Sequence, residues 1–216
     1  MKPWLERYAE AVFRRSADVN HDLKTPLNIA VLNLELLRMR LARLDPAIAD
    51  DEKIRTYAAS VEAELRRMAK VFDAVFQQGA PPDDRRDPEP LDLGRLLAAH
   101  FGLGSEEPYL VRLHADRGGD LVRLLAVGCS KIFKGSPAVT VNRSESGSLR
   151  VRVSGAPLGE ALEIGKLFKF YYTDESGNPE ISLATARLIA ESYGGSLDAS
   201  AAESEMFVEL VLPAGD

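Results

Sequence analysis

The first 78 residues of this 216-residue chain contain no glycine, whereas all 16 glycines lie in residues 79–216. Nine of the 12 prolines lie in the second part too, so the chain is built as two different halves. In the first half, Leu23, Leu27, Ala30, Val31, Leu34, Leu37, Leu41 and Leu44 recur at steps of three and four, a helical, heptad-like stripe. Asp45-Pro46 ends that helix, because the residue before a proline avoids the right-handed helical region. A second helix is predicted from about Asp50 to Gln78, with Ile54, Tyr57, Ala58, Val61, Leu65, Met68, Phe72 and Val75 on one face. Asp50, Asp51 and Glu52 suit its positive N-terminal end better than they suit a metal. Two long helices joined by a short turn form an αα-hairpin. One hairpin cannot cover its own stripe, and two copies can, as a four-helix bundle, so a homodimer is expected.

Residues 79–90, GAPPDDRRDPEP, read as a linker rich in proline and charge. Beyond it, Leu91–Phe101, Leu121–Phe133, Leu158–Phe170 and Ile181–Tyr193 read as helices, the last closed by Gly194-Gly195. Tyr109–Ala115, Ala138–Asn142, Leu149–Val153, Ser196–Ala201 and Met206–Leu212 alternate as strands. The predicted class is α+β. A helical hairpin (1–78) and a linker (79–90) lead to a layered α/β sandwich (91–216), with helices on one face of about five strands.

Charge follows the same division. Residues 1–78 carry a net +1 and residues 79–216 a net −7. An acidic second half argues against nucleic acid, which asks for a basic face. No apolar run approaches the roughly 20 residues of a membrane span. The charged Met1–Glu10 does not read as a signal peptide. A single cysteine, Cys129, excludes an internal disulfide and cysteine-based zinc sites. Together these predict a cytoplasmic protein with no membrane or nucleic-acid partner.

The chemistry concentrates in Asp18-Val19-Asn20-His21-Asp22-Leu23-Lys24-Thr25-Pro26-Leu27. His21 lies two positions before Leu23, about 200° around a helix from it, and is expected to face solvent. Asp22 adjoins it, and Thr25 lies one turn on, on the same face. Pro26 removes a helical hydrogen bond and bends the helix at a cost of about 3 kcal/mol, which points to a bend with a use. An exposed imidazole beside a carboxylate is a nucleophile with its orienting base. A hydroxyl one turn away can position water or a phosphoryl oxygen.

The string His21-Asp22-Leu23-Lys24-Thr25-Pro26-Leu27 resembles the H-box of sensor histidine kinases at all seven positions. That resemblance implies that His21 is the phosphorylated residue, Asp22 the general base, and Thr25 the residue that assists dephosphorylation of the partner response regulator. It places Lys24 and Asn28 on the surface where a receiver domain docks. The second half resembles the family's ATP-binding domain in pattern, from Glu89-Pro90-Leu91-Asp92-Leu93 to the final strand through Leu212-Pro213.

The family's nucleotide motifs do not follow. The Mg²⁺-coordinating asparagine helix should fall in Leu121–Phe133, which contains no asparagine, and Cys129 takes the key place. Mg²⁺ prefers oxygen ligands to a thiol. The adenine-recognising Asp-x-Gly-x-Gly should follow Ser154, where the chain reads Gly155-Ala156-Pro157-Leu158-Gly159. The phosphate-binding glycine loop reads Asn178-Pro179-Glu180-Ile181-Ser182-Leu183. It keeps the apolar pair and loses the glycines that bring backbone N–H groups to phosphate.

The expected function is therefore a histidine phosphotransferase of a bacterial phosphorelay, exchanging a phosphoryl group between His21 and aspartates of receiver domains. It would have no cofactor of its own, ATP is not expected, and Mg²⁺ is held by the receiver. An ATP-dependent sensor histidine kinase with a divergent pocket and a non-catalytic response-regulator-binding module are the alternatives. His100, His114 and Cys129 are expected to be structural. Lys166–Tyr172 mixes lysines with aromatics and is expected to be the end of a core helix rather than a surface for single-stranded nucleic acid.

Overall fold

The computed structural model describes residues 6, 26–40, 43, 52–73, 87–103, 108–144, 147–159, 163–169, 180–202 and 205–215. Residues 26–40 are helical (α1), followed by the helix α2, Glu52–Asp73. The two pack side by side. Asn33 Nδ2 donates to the Ile29 carbonyl at 2.9 Å and to Ser60 Oγ at 3.2 Å, tying α1 to α2. Pro26 and Ala30 are buried, and Asn33, Leu36 and Leu37 half-buried. Ala30 and Leu37 of the stripe read in the sequence lie on this face, and Leu27, Val31 and Leu34 of the same stripe lie off it. Leu27 and Leu34, expected to face a core, are each 45% exposed, and Val31 is 47% exposed. At 100° per residue, 27, 31 and 34 form a second stripe beside the one that meets α2. The Asp45-Pro46 turn lies outside the described residues.

The second half begins with β1 (Glu89–Asp92), of which Glu89-Pro90 reads in the sequence as linker and Leu91-Asp92 as the start of a helix. Asp92 decides the boundary. Its side chain accepts from the backbone N–H of Gly94 at 3.0 Å and of Tyr109 at 3.1 Å, so it caps α3 (Leu93–Phe101) and clips the helix to the next strand. Gly102, at φ 68°, closes α3 in the left-handed conformation. Then follow β2 (Leu110–Leu113), α4 (Ala115–Ile132), β3 (Ala138–Arg143), β4 (Ser148–Gly155), α5 (Ser182–Ser192), β5 (Ser196–Ala202) and β6 (Glu205–Pro213).

Strands β3-β4-β6-β5 form an antiparallel sheet in that order, and β1-β2 a second, smaller one. The end of β6 joins the two, through a Val111–Ala214 bridge and the Gly215 N–H bonded to the Leu110 carbonyl at 3.0 Å. Alternation along β4 and β6 sends Leu149, Val151, Val153, Met206, Val208, Leu210 and Leu212 to one face, all buried. Leu121, Leu125, Cys129 and Ile132 of α4, with Leu183, Ala186 and Ile189 of α5, complete the core. Helices α4 and α5 meet where a Cβ on Gly128 would lie 2.5 Å from Leu183 Cγ. The chain is thus a mixed fold, a helical N-terminal part followed by an antiparallel sheet with helices on one face.

Of the helix expected over Leu158–Phe170, only a 3₁₀ turn at Ile164–Lys166 forms among the described residues. Pro157 is held extended against Phe133, the Leu158 N–H bonds to the Ile132 carbonyl at 2.8 Å, and Gly159 and Gly165 weaken helix formation. Leu167 and Phe168 are buried, with the Arg187 guanidinium 5.0 Å from the Phe168 ring centroid, so this part of the lysine–aromatic segment belongs to the core. No described helix is long and apolar enough to cross a membrane.

Candidate functional site

His21, Asp22, Lys24 and Thr25 lie outside the described residues, as do Asn178 and Pro179. Asn28, the fifth predicted site residue, is exposed on α1 just after Pro26. Among the described residues no two predicted site residues come together, so the geometry to be read is that of the second half.

Three segments stand where the nucleotide motifs were expected. The first is α4. Cys129 is completely buried in the core, and burial alone pushes its thiol well above the ordinary range. A neutral buried thiol gives Mg²⁺ no oxygen ligand. The second is the end of β4. Gly155 runs into Ala156-Pro157, and the chain is fastened back to the end of α4 by the Lys134 N–H to the Ala156 carbonyl at 2.9 Å. Residues 155–159 offer no carboxylate to accept a base amine.

The third is the start of α5. Glu180 Oε1 accepts the Ser182 backbone N–H at 2.6 Å, and the Thr185 N–H and hydroxyl both reach the Ile181 carbonyl at 2.9 Å. A helix N-terminus attracts anions through its unpaired N–H groups and its dipole. Here the chain provides the anion itself. Glu180 is half-buried, and its negative charge opposes a phosphate at the same helix end. The sequence shows Glu180 in place of a glycine, but not that it takes a backbone donor. Glu180→Ala is expected to lower stability by about 1 kcal/mol, the usual worth of one hydrogen bond, read as an earlier urea midpoint. An unchanged midpoint would contradict a stabilising role for this bond.

The two histidines of this half part company. His114 is buried, its Nδ1 2.6 Å from Tyr193 Oη, and joins the start of α4 to the end of α5. His100 is exposed at the end of α3 and borders a cavity of about 380 Å³ with Cys129, Ser130 and Ser136. No group of three potential metal-ligating side chains occurs among the described residues.

What decides the nature of the first half is its sequence as a whole. Residues 14–78 match the family model of the His Kinase A (phospho-acceptor) domain. The phospho-acceptor match spans α1 and α2, includes the whole string His21–Leu27, and ends where the linker begins. Three solved structures are similar in fold. A mycobacterial sensor histidine kinase, MprB, is 15% identical, with 59% of this chain and 97% of that one covered and a TM-score of 0.48. The Acinetobacter baumannii histidine kinase AdeS is 16% identical, with 91% and 98% covered and a TM-score of 0.46. The catalytic domain of the histidine kinase ThkA is 17% identical, with 60% and 97% covered and a TM-score of 0.48. No curated protein matches the sequence. Residues 14–78 are thus similar to a His Kinase A (phospho-acceptor) domain, and a mixed helix–sheet part follows them.

Proposed function

We propose that the protein is a dimeric histidine phosphotransferase of a bacterial two-component phosphorelay that works without ATP. The His21 imidazole attacks the phosphorus of an aspartyl phosphate on a receiver domain. A P–N bond forms, the P–O bond to the aspartate breaks, and the carboxylate leaves as its own anion. Asp22 holds the ring tautomer and takes the ring proton. Thr25 positions the phosphoryl oxygens or water, and Lys24 and Asn28 meet the receiver. The reverse reaction passes the group to a second receiver. Mg²⁺ comes with the receiver, and catalysis is chiefly positioning, which this hairpin can supply.

The observation that carries the choice of phosphotransfer over a kinase is the Glu180 carboxylate on the Ser182 N–H, at the helix end where a nucleotide phosphate would bind. The loss of an asparagine at the buried Cys129 points the same way. Incubation with a phosphorylated receiver domain is expected to label the protein, and incubation with labelled ATP and Mg²⁺ is not. Labelling by ATP at His21 would replace this reading with a kinase. Labelling by neither would leave a response-regulator-binding module.

The dimer is supported by the stripe Leu27, Val31 and Leu34 on α1 and by Leu65 on α2, 53% exposed, apolar positions that a second hairpin would cover. A sedimenting mass of twice the 23.6 kDa chain is expected at micromolar concentration. A monomer there would sink the bundle.

A further inference from the structure

The open face of the main sheet carries a basic groove in an acidic domain. A cavity of about 290 Å³ there is lined by Thr140, Asn142, Arg143, Ser144, Arg150 and Arg152. Among the described residues its lining is three guanidinium groups, an amide and two hydroxyls, although residues 79–216 carry a net −7. Strand pairing brings these groups together. Thr140 lies opposite Arg152, and Asn142 opposite Arg150, across β3 and β4.

The arginines are held in place before any ligand arrives. Glu209 on β6 lies opposite Arg152 and accepts from its Nε at 3.1 Å and its Nη2 at 2.9 Å. Its other oxygen lies 3.5 Å from Arg150 Nε. The Arg152 guanidinium also sits 5.3 Å from the Phe207 ring centroid. One carboxylate thus gathers two arginines and neutralises one. Arg143 donates to the Pro108 carbonyl at 3.1 Å, a neutral partner. If the arginines served only cross-strand pairing, each would face a carboxylate of its own. Each guanidinium has five N–H donors, and Glu209 accepts only two from Arg152. Arg150 and Arg152 are both 47% exposed, so an ion reaches them from solvent.

We propose that this groove is a binding site for a small, multiply charged oxyanion of the phosphate class, held by Arg150 and Arg152 with Asn142 and Thr140. Two neighbouring guanidinium groups suit a tetrahedral oxyanion, which accepts paired N–H bonds from each. A small ion senses the potential within about 8 Å, where arginine dominates. A long polyanion would also meet the acidic remainder of the domain. The assignment is independent of the phosphotransfer chemistry at His21 and stands or falls separately.

The test is titration of the full-length protein with inorganic phosphate at constant ionic strength, following the Arg Nε–Hε resonances by NMR. Saturable shifts at Arg150 and Arg152 are expected. Binding should weaken about tenfold or more when Arg150→Gln and Arg152→Gln are combined. Arg150→Lys, which keeps the charge and the sheet, should weaken it several-fold. A phosphomonoester in place of inorganic phosphate distinguishes a phosphorylated small molecule from the free ion, and saturation by either supports the site. Shifts that do not saturate, equal binding by the variants, or saturation by citrate alone would each overturn it.

Discussion

Replacing His21 with alanine is expected to abolish labelling by a phosphorylated receiver domain, to at least about a thousandfold below the unchanged chain. The size follows from the chemistry. Alanine offers no lone pair to form the P–N bond, and no other group in the string His21–Leu27 replaces it: Asp22 would give a mixed anhydride, and Lys24 is a protonated amine. The helix should tolerate the change, since alanine is the best helix former and His21 is expected to face solvent. Loss of labelling with unchanged helicity would therefore report the nucleophile alone. Labelling that persists at another residue would contradict the role given to His21. A full cellular effect of deleting the protein beside none for His21→Ala would favour a binding module.

The second large effect is structural. Gly195→Ala is expected to destabilise the sheet domain by about 3 kcal/mol, and to lower its thermal midpoint by about 10 °C. Gly194-Gly195 closes α5 by a paired turn. The Gly194 N–H bonds to the Glu191 carbonyl at 3.0 Å and the Gly195 N–H to the Ala190 carbonyl at 2.9 Å, with Gly194 at φ 80°. A Cβ on Gly195 would be driven into the Val211 carbonyl oxygen of β6, with Leu212 Cδ2 at 2.9 Å and the Ala190 carbonyl oxygen at 3.2 Å. Two of those three obstacles are backbone, and a side-chain rotation cannot relieve them. Gly119, inside α4, has nothing within 4 Å of its Cβ position, so Gly119→Ala should be neutral or stabilising by about 0.5–1 kcal/mol. Equal midpoints for the two variants would refute the close-approach account.

The fold was legible wherever one periodicity dominated. Alternation gave β3 through β6 to within a residue or two, since buried Leu149, Val151 and Val153 interleave with exposed Arg150 and Arg152. The double glycine marked the end of α5. The misses have local causes. Leu91 looked helical because it is apolar, and Asp92 turned it into a strand end by capping the helix after it. Leu158–Phe170 looked helical because it is apolar at mixed spacing, whereas among its described residues only a 3₁₀ turn forms, with Pro157 held extended before it. The stripe of α1 is apolar around much of its circumference, so the sequence could not say whether Ala30 or Val31 meets α2.

The candidate site divides in the same way. The string at His21 could be read because its chemistry is local, seven consecutive residues, and His21 to Thr25 lie outside the described residues. The start of α5 was legible only in part. The missing glycines were visible, but the hydrogen bond from the Ser182 N–H to Glu180 depends on how the chain enters the helix. The arginine groove was not legible at all, because Glu209 lies 57 residues from Arg152 and only the sheet register joins them.

The most direct measurement of the central claim is phosphoryl incorporation at His21 from two donors in parallel, a phosphorylated receiver domain and labelled ATP with Mg²⁺. Rapid labelling by the receiver and none by ATP is the predicted result. Incorporation from ATP would contradict it.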